Sequence, residues 1–410
     1  MTESAAVVFV DEEGVGLTNG NNEGEVQLSS EELLQRAQKS CGLTDFGDDW
    51  FREPLSELVT MINQEAGLTS ANAPPVQAMI GNLADRLRLV DYLERNPAAL
   101  DEAIEVPGII IGLGRGGSTL LQRLLSASAQ VNHTPWWELV FPLPLSNQGM
   151  GERATRIEYG ALAAREVNAK WPELAAMHPI EALAPDEEIA LFDRTPLSLM
   201  YCFYFNIPSY MPWLRRQNHE RAYGELVTWL KVLQHQDPTR RARKWVLKSG
   251  HHLLAGGLRV MLDTFPNAKA IMTHRNLQNV IVSYCSLQSV TVRNFSANFD
   301  PAEQGPRAIW LFREALQDLI SIRRDYPATR FVDVQYQDTV TRPLEVFRDT
   351  LMAMGMCVTD EDMAAARGWM SSHGRDTHPP HRYAAEQYGM SANTLSQQFE
   401  FYHQRFLQTG

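Results

Sequence analysis

The sequence predicts an α/β protein, a central parallel sheet flanked by helices with further helical regions at both ends. Three observations carry this. Val106–Leu125, VPGIIIGLGRGGSTLLQRLL, passes from β-branched apolar residues through a glycine-rich turn into apolar residues at helical spacing. Lys244–Ser249 (KWVLKS) and Ala268–His274 (AKAIMTH) are short apolar runs, each followed by a helical pattern. TRFVDVQY, residues 329–336, adds a strand after a long helical stretch. Strands that alternate with helices build parallel sheets covered on both faces.

The elements follow in order. Residues 1–28, rich in Glu, Gly and Asn, are expected to form a disordered or loosely tethered tail. Ser29 or Ser30 with Glu32 reads as a helix cap and opens a helical region to about Asn96, within an N-terminal region of residues 29–105. The α/β core is assigned to 106–345, and a helical region of 346–410 completes the fold. Inside the core, Ile109–Ile111 is the first strand, and Leu120, Leu121, Leu124 and Leu125 mark the helix after the loop. Residues 152–170 and 220–236 have helical composition. Between them, FDRTPLSLMYCFYFNIPSYMPWL is either a packing layer or part of an apolar acceptor pocket. Helices are expected from about Leu253 to Phe265, through Ile281 and Tyr284, and from Pro306 to Tyr326. The chain from Arg342 onward reads as mostly helical, with a turn at His378–His381.

Lys plus Arg number 37 against 49 Asp plus Glu, a net charge of -12, which argues against a nucleic-acid or anionic-membrane surface. A local basic pocket remains compatible with that balance. Cys41, Cys202, Cys285 and Cys357 are far apart, with no C-x-x-C and no zinc-type spacing. No metal is expected, and the cysteines read as small buried hydrophobes in a reducing cytoplasmic setting. The N-terminus lacks a signal-peptide pattern. The most apolar stretch, Leu197–Leu214, contains Asn206 and two prolines and cannot be a simple membrane span.

The glycine-rich turn is built to hold an anion. First-turn N–H groups of the following helix lack internal partners, the helix dipole adds positive potential, and glycines admit a ligand close to the main chain. Three loop types compare with it. Gly112 and Gly117 have nucleoside-triphosphate spacing, but Ser118 occupies the lysine position. Gly112, Gly114 and Gly117 match the dinucleotide G-x-G-x-x-G, with Glu138 at about the required ~20-residue distance. That acid should end a strand, and NHTPWWELVFPLP does not read as one. The third comparison fits best: Arg115, Gly116, Gly117, Ser118 and Thr119 resemble the 5′-phosphosulfate loop of sulfotransferases that use PAPS (3′-phosphoadenosine 5′-phosphosulfate).

Ligands of open α/β sheets gather at the carboxyl ends of strands. Three such ends carry cations here: Arg115, Lys248 with Ser249, and Arg275. WVLKSGHHL, FPNAKAIMTHR and Ser283 resemble the sulfotransferase pattern of a catalytic lysine strand followed by the arginine and serine that hold the 3′-phosphate. CGLTDFGDDWFREPL, WWELVFPLP, MHPIEAL with PDEE, VDVQYQDTVTRPL and HRYAAEQYGM resemble the bacterial sulfotransferase-like branch, so the likeness spans roughly residues 30–410. It implies a P-loop-like sulfotransferase fold that transfers a sulfuryl group from PAPS to a hydroxyl of a small-molecule acceptor and releases PAP (3′-phosphoadenosine 5′-phosphate).

In that resemblance Tyr336 contacts adenine, His381 and Arg382 lie in a segment closing over the nucleotide, and Lys248 and Arg115 neutralise the leaving phosphate. The acceptor base is Glu138, His252 or, failing these, His251. Gly116 stands where the family usually has Ser, Ser118 where it has Thr, and Gly250 where a proline is common. Two other readings stay open on the residues: an NAD(P)-dependent oxidoreductase using the glycine pattern, and a noncatalytic nucleotide-binding protein of the same fold. Oligomeric state has no signature in the chain.

Overall fold

The computed structural model describes residues 26–145, 152–296, 298–373 and 384–407. Its centre is a five-stranded sheet: β1 Gly108–Ile110, β2 Val131–Asn132, β3 Lys244–Lys248, β4 Lys269–His274 and β5 Phe331–Gln335. The strand order is β2-β3-β1-β4-β5, and every pair is parallel. β1 is central, with Ile109 opposite Leu247 on one side and Ala270 on the other.

Alternation of side chains across the sheet divides the core in two. Ile109, Ile111, Leu247, Ala270 and Met272 belong to a large cluster that runs from Leu28 to Phe406. Ile110, Val246, Ile271 and Val334 point into a smaller cluster with Leu121, Leu124, Phe347 and Leu351. Both faces of the apolar strands are therefore covered, as the strand–helix alternation requires.

The helical N-terminal residues join the larger cluster. Ser29 caps the first helix, Ser30–Cys41, by accepting from the Glu32 N–H. Helices Arg52–Glu65 and Pro74–Arg95 follow. Arg86 on the third donates to both Glu225 oxygens, at 2.6 and 2.7 Å, on helix Glu220–Gln236. The Trp50 indole N–H reaches the same carboxylate at 2.6 Å.

Several expectations change. Residues 26–28, assigned to the tail, are docked: the Val26 N–H donates to the Leu68 carbonyl at 3.2 Å, and Leu28 is buried. The helix expected over 253–265 starts at His251 and breaks into His251–Leu254 and Leu258–Thr264, because Gly256 turns left-handed at φ 84°. β2 was not expected; two residues are too few to carry a period. Cys202 and Cys285 are buried, but Cys357 is exposed and Cys41 half-buried. Residues 1–25, the turn at His378–His381 and Arg382 lie outside the described residues. Among the described residues, no helix is long and apolar enough to cross a membrane.

Candidate active site

The site lies at the carboxyl ends of β3, β1 and β4, where the chain departs in opposite directions from the central strand. Arg115, at the tip of the loop after β1, has a left-handed backbone, φ 69°. Such a conformation costs a non-glycine residue roughly 1 kcal/mol or more and is held only where surroundings impose it. Three contacts do so. Its Nε donates to the Ser283 hydroxyl at 2.9 Å, its Nη1 to the Met177 carbonyl at 2.6 Å, and its own carbonyl accepts from Arg275 Nη1 at 2.8 Å.

Arg275 also stacks 4.1 Å from the centroid of the Tyr336 ring. That ring covers Gly117, which sits at φ 90° and where a Cβ would fall 2.5 Å from Tyr336 Cδ2. Only glycine fits both constraints. At Gly116 a Cβ would come within 2.8 Å of the Leu113 carbonyl oxygen and 3.2 Å of Thr273 Oγ1. The departure from the usual serine thus matches a loop closed tightly on β4. Gly250 is under no such pressure: its added Cβ would meet only ordinary contacts.

Ser118 and Thr119 open helix Ser118–Leu125, whose unpaired N–H groups face the loop. Thr119 Oγ1 accepts from Lys248 Nζ at 3.1 Å. The lysine side chain is 3% exposed and also pairs with the Glu187 carboxylate. A buried ammonium needs such partners, since an unpaired charge out of water is strongly disfavoured.

Three consecutive acids, Asp186, Glu187 and Glu188, organise this end of β3. Glu188 accepts from the Lys248 backbone N–H at 2.7 Å and meets His252 Nε2 at 2.7 Å. Glu187 holds the Lys248 ammonium. Asp186 lies 3.7 Å from His178 Nε2. Burial would raise the Asp186 carboxyl, but His178 and Lys248 beside it leave it below the usual range. The segment is tied to the loop helix, because the Asp186 carbonyl accepts from Gln122 Nε2 at 3.0 Å.

The residues expected as bases are all buried among protein partners. Glu138 is not at a strand end; it lies in helix Trp136–Val140, buried, with Arg240 Nη2 2.8 Å away. Burial pushes its carboxyl up in spite of Arg240. His252 is fully buried, and both ring nitrogens are engaged: Nε2 with Glu188, and Nδ1 with the Tyr223 hydroxyl at 2.7 Å. The neutral tautomer with a proton on Nε2 satisfies both partners, leaving no lone pair for an acceptor. His251 is also fully buried, and burial together with His252 and His219 holds it well below the usual histidine range. His252 acts instead as a strut, from Tyr223 through Glu188 to the backbone of Lys248. Replacing it with Phe should cost about 2 kcal/mol in denaturant unfolding, the order expected when buried polar partners are left unsatisfied.

His178, in contrast, stands at the cavity. It borders the cavity that opens onto Gly114, Arg115 and Gly250, and its side chain is 33% exposed. Its neighbour Met177 accepts the Arg115 hydrogen bond, so the ring is tied to the loop. Sequence reasoning passed over His178 and the three acids. Their dense titratable spacing across MHPIEAL and PDEE is the signal that the sequence offers.

A parallel sheet with an anion loop after its central strand and cations at neighbouring strand ends defines a P-loop-like α/β protein. The chain belongs to the sulfotransferase family, whose model matches residues 107–360. It is similar to the crystal structure of sulfotransferase STF9 from Mycobacterium avium, with 22% identity and a TM-score of 0.83 over 94% of this chain and 98% of that one. Sulfotransferase STF1 from Mycobacterium tuberculosis is 28% identical, with a TM-score of 0.77 over 92% of this chain and 99% of its own. No curated protein sequence matches the chain.

Proposed function

We propose that the protein transfers a sulfuryl group from PAPS to a hydroxyl of a small-molecule acceptor and releases PAP. The observation that carries this reading is the buried Lys248 ammonium, held between the loop hydroxyl of Thr119 and Glu187 beside the cavity. The donor set suits a doubly phosphorylated nucleotide. Loop N–H groups and Thr119 would hold the 5′-phosphosulfate, Arg275 and Ser283 the 3′-phosphate, and Tyr336 the adenine.

The donor supplies an activated sulfuryl group: a bond forms from the acceptor oxygen to sulfur as the bond from sulfur to the bridging phosphate oxygen breaks. Lys248 and Arg115 offset the charge growing on that leaving oxygen. Sulfuryl transfer resembles phosphoryl transfer in needing positioning and electrostatics more than covalent help from the protein. His178 accepts the acceptor's proton, with Asp186 orienting the ring and stabilising the imidazolium that results.

The dinucleotide alternative loses its acid, because Glu138 is sealed against Arg240. Incubation with radiolabelled PAPS and an alcohol tests the function directly. Label in the alcohol supports sulfotransfer; PAP binding with no transfer to any acceptor leaves the noncatalytic reading of the same fold.

A further inference from the structure

The cavity at the loop has a volume of about 440 Å³, the size that encloses a drug-sized molecule. Its inner end is the reacting end, since Gly114, Arg115, Gly250, His178 and Glu187 all border it. The rest of its lining is mainly apolar and includes Phe141, Leu143, Trp171, Met200, Phe203 and Leu287. These residues come from four separate stretches of chain. The aromatic segment left open between packing and pocket does both: Tyr201, Phe205 and Tyr210 are in the core, while Met200, Phe203 and Tyr204 border the cavity.

Four charged side chains also reach this wall: Asp85, Arg88, Asp193 and Arg194. Each has a partner within the protein. Asp85 pairs with Arg88 at 3.0 Å and with Arg194 at 2.9 Å. Asp193 accepts from the Ser198 hydroxyl at 2.5 Å and the Tyr204 hydroxyl at 3.1 Å, and burial pushes its carboxyl up to about 6. Among the described residues, the outer wall thus offers no uncommitted charge to a ligand. A charged acceptor would be desolvated without compensation, and a polyol would bury hydroxyls against carbon.

We propose that the acceptor is an uncharged, lipophilic alcohol whose body fills this apolar cavity and whose hydroxyl meets His178 at the inner end. The inference rests on the sulfotransfer reading above and specifies its substrate class. Part of the selectivity lies outside the residues that the family model matches, because Pro75, Ala78 and Asn82 of helix Pro74–Arg95 also line the cavity. The hydroxyl proton passes to His178, the oxygen takes the sulfuryl group, and PAP leaves with the bridging oxygen.

The test uses the full chain, radiolabelled PAPS and four acceptors: 1-dodecanol, estradiol, ω-hydroxydodecanoate and glucose. PAP affinity is measured in parallel by calorimetry. Dodecanol and ω-hydroxydodecanoate share a chain and a hydroxyl and differ in a distal carboxylate. The expected result is transfer to dodecanol or estradiol, with kcat/KM for dodecanol exceeding that for ω-hydroxydodecanoate by about 10²-fold, reflecting the cost of burying an unpaired charge. Leu287→Asp, which places an unpaired carboxylate in the wall, should remove transfer to dodecanol and leave PAP affinity unchanged.

With PAP bound normally, three outcomes overturn the proposal: equal or better transfer to ω-hydroxydodecanoate or glucose, no transfer to either neutral alcohol, or undiminished dodecanol transfer by Leu287→Asp. Failure to bind PAP strikes instead at the sulfotransfer reading beneath it.

Discussion

Lys248→Ala should lower kcat by about 10²- to 10³-fold, the loss typical when one donor to a developing oxyanion is removed. PAP affinity should change far less. In the proposed assignment the lysine acts on the leaving oxygen, whereas the loop, Arg275 and Ser283 hold the nucleotide. Its burial complicates the simple substitution: alanine leaves the Glu187 carboxylate without its cation beside the donor site. Lys248→Ala with Glu187→Gln removes that unpaired charge. If kcat remains low in the double variant while PAP binds normally, the loss belongs to the chemistry. Equal losses in kcat and PAP affinity would contradict the assigned role.

His178→Ala should lower kcat by about 10²- to 10⁴-fold, the range for loss of a positioned general base. The pH dependence separates this from a packing defect. A base must be unprotonated to act, so activity of the parent protein falls as acidity rises. In His178→Ala that acid limb should flatten, and the residual rate should climb with pH as the acceptor hydroxyl ionises without help. Asp186→Asn should give a smaller loss, because it removes the group that orients the ring and leaves the base itself. An unchanged pH profile in His178→Ala would move the proton acceptor elsewhere.

Much of this arrangement is legible in the chain because it rests on local pattern. The run IIIGLGRGGST declares a strand, a tight turn and a helix by composition, and Lys248 and Arg275 stand at the ends of apolar strands whose parallel pairing brings them together. Ser283 follows, since helix Leu277–Val292 carries it back toward the same strand end. The surroundings of the residues expected as bases depend on tertiary contacts. His252 follows the lysine closely, but its short helix turns the ring inward to Glu188 and Tyr223. Glu138 has the right distance along the chain for a dinucleotide acid, yet a helix and Arg240 take it into the core.

His178 and the three acids were missed for a related reason. They sit in an irregular connection with no period, and only its docking on Gln122, Lys248 and His252 places it at the loop. The charged residues in the cavity wall come from still more widely separated parts of the chain. Asp85 on helix Pro74–Arg95 meets Arg194, more than a hundred residues later, and nothing local announces that pairing.

The most direct test of the account is calorimetric titration of the purified protein with PAP, with NADP and ATP as controls and Arg275→Ala alongside. Selective binding of PAP, weakened about tenfold or more in Arg275→Ala by loss of charge-assisted hydrogen bonds, is the predicted result. Binding of NADP in place of PAP, or PAP affinity indifferent to Arg275, would contradict the assignment of the loop, Arg275 and Ser283 together.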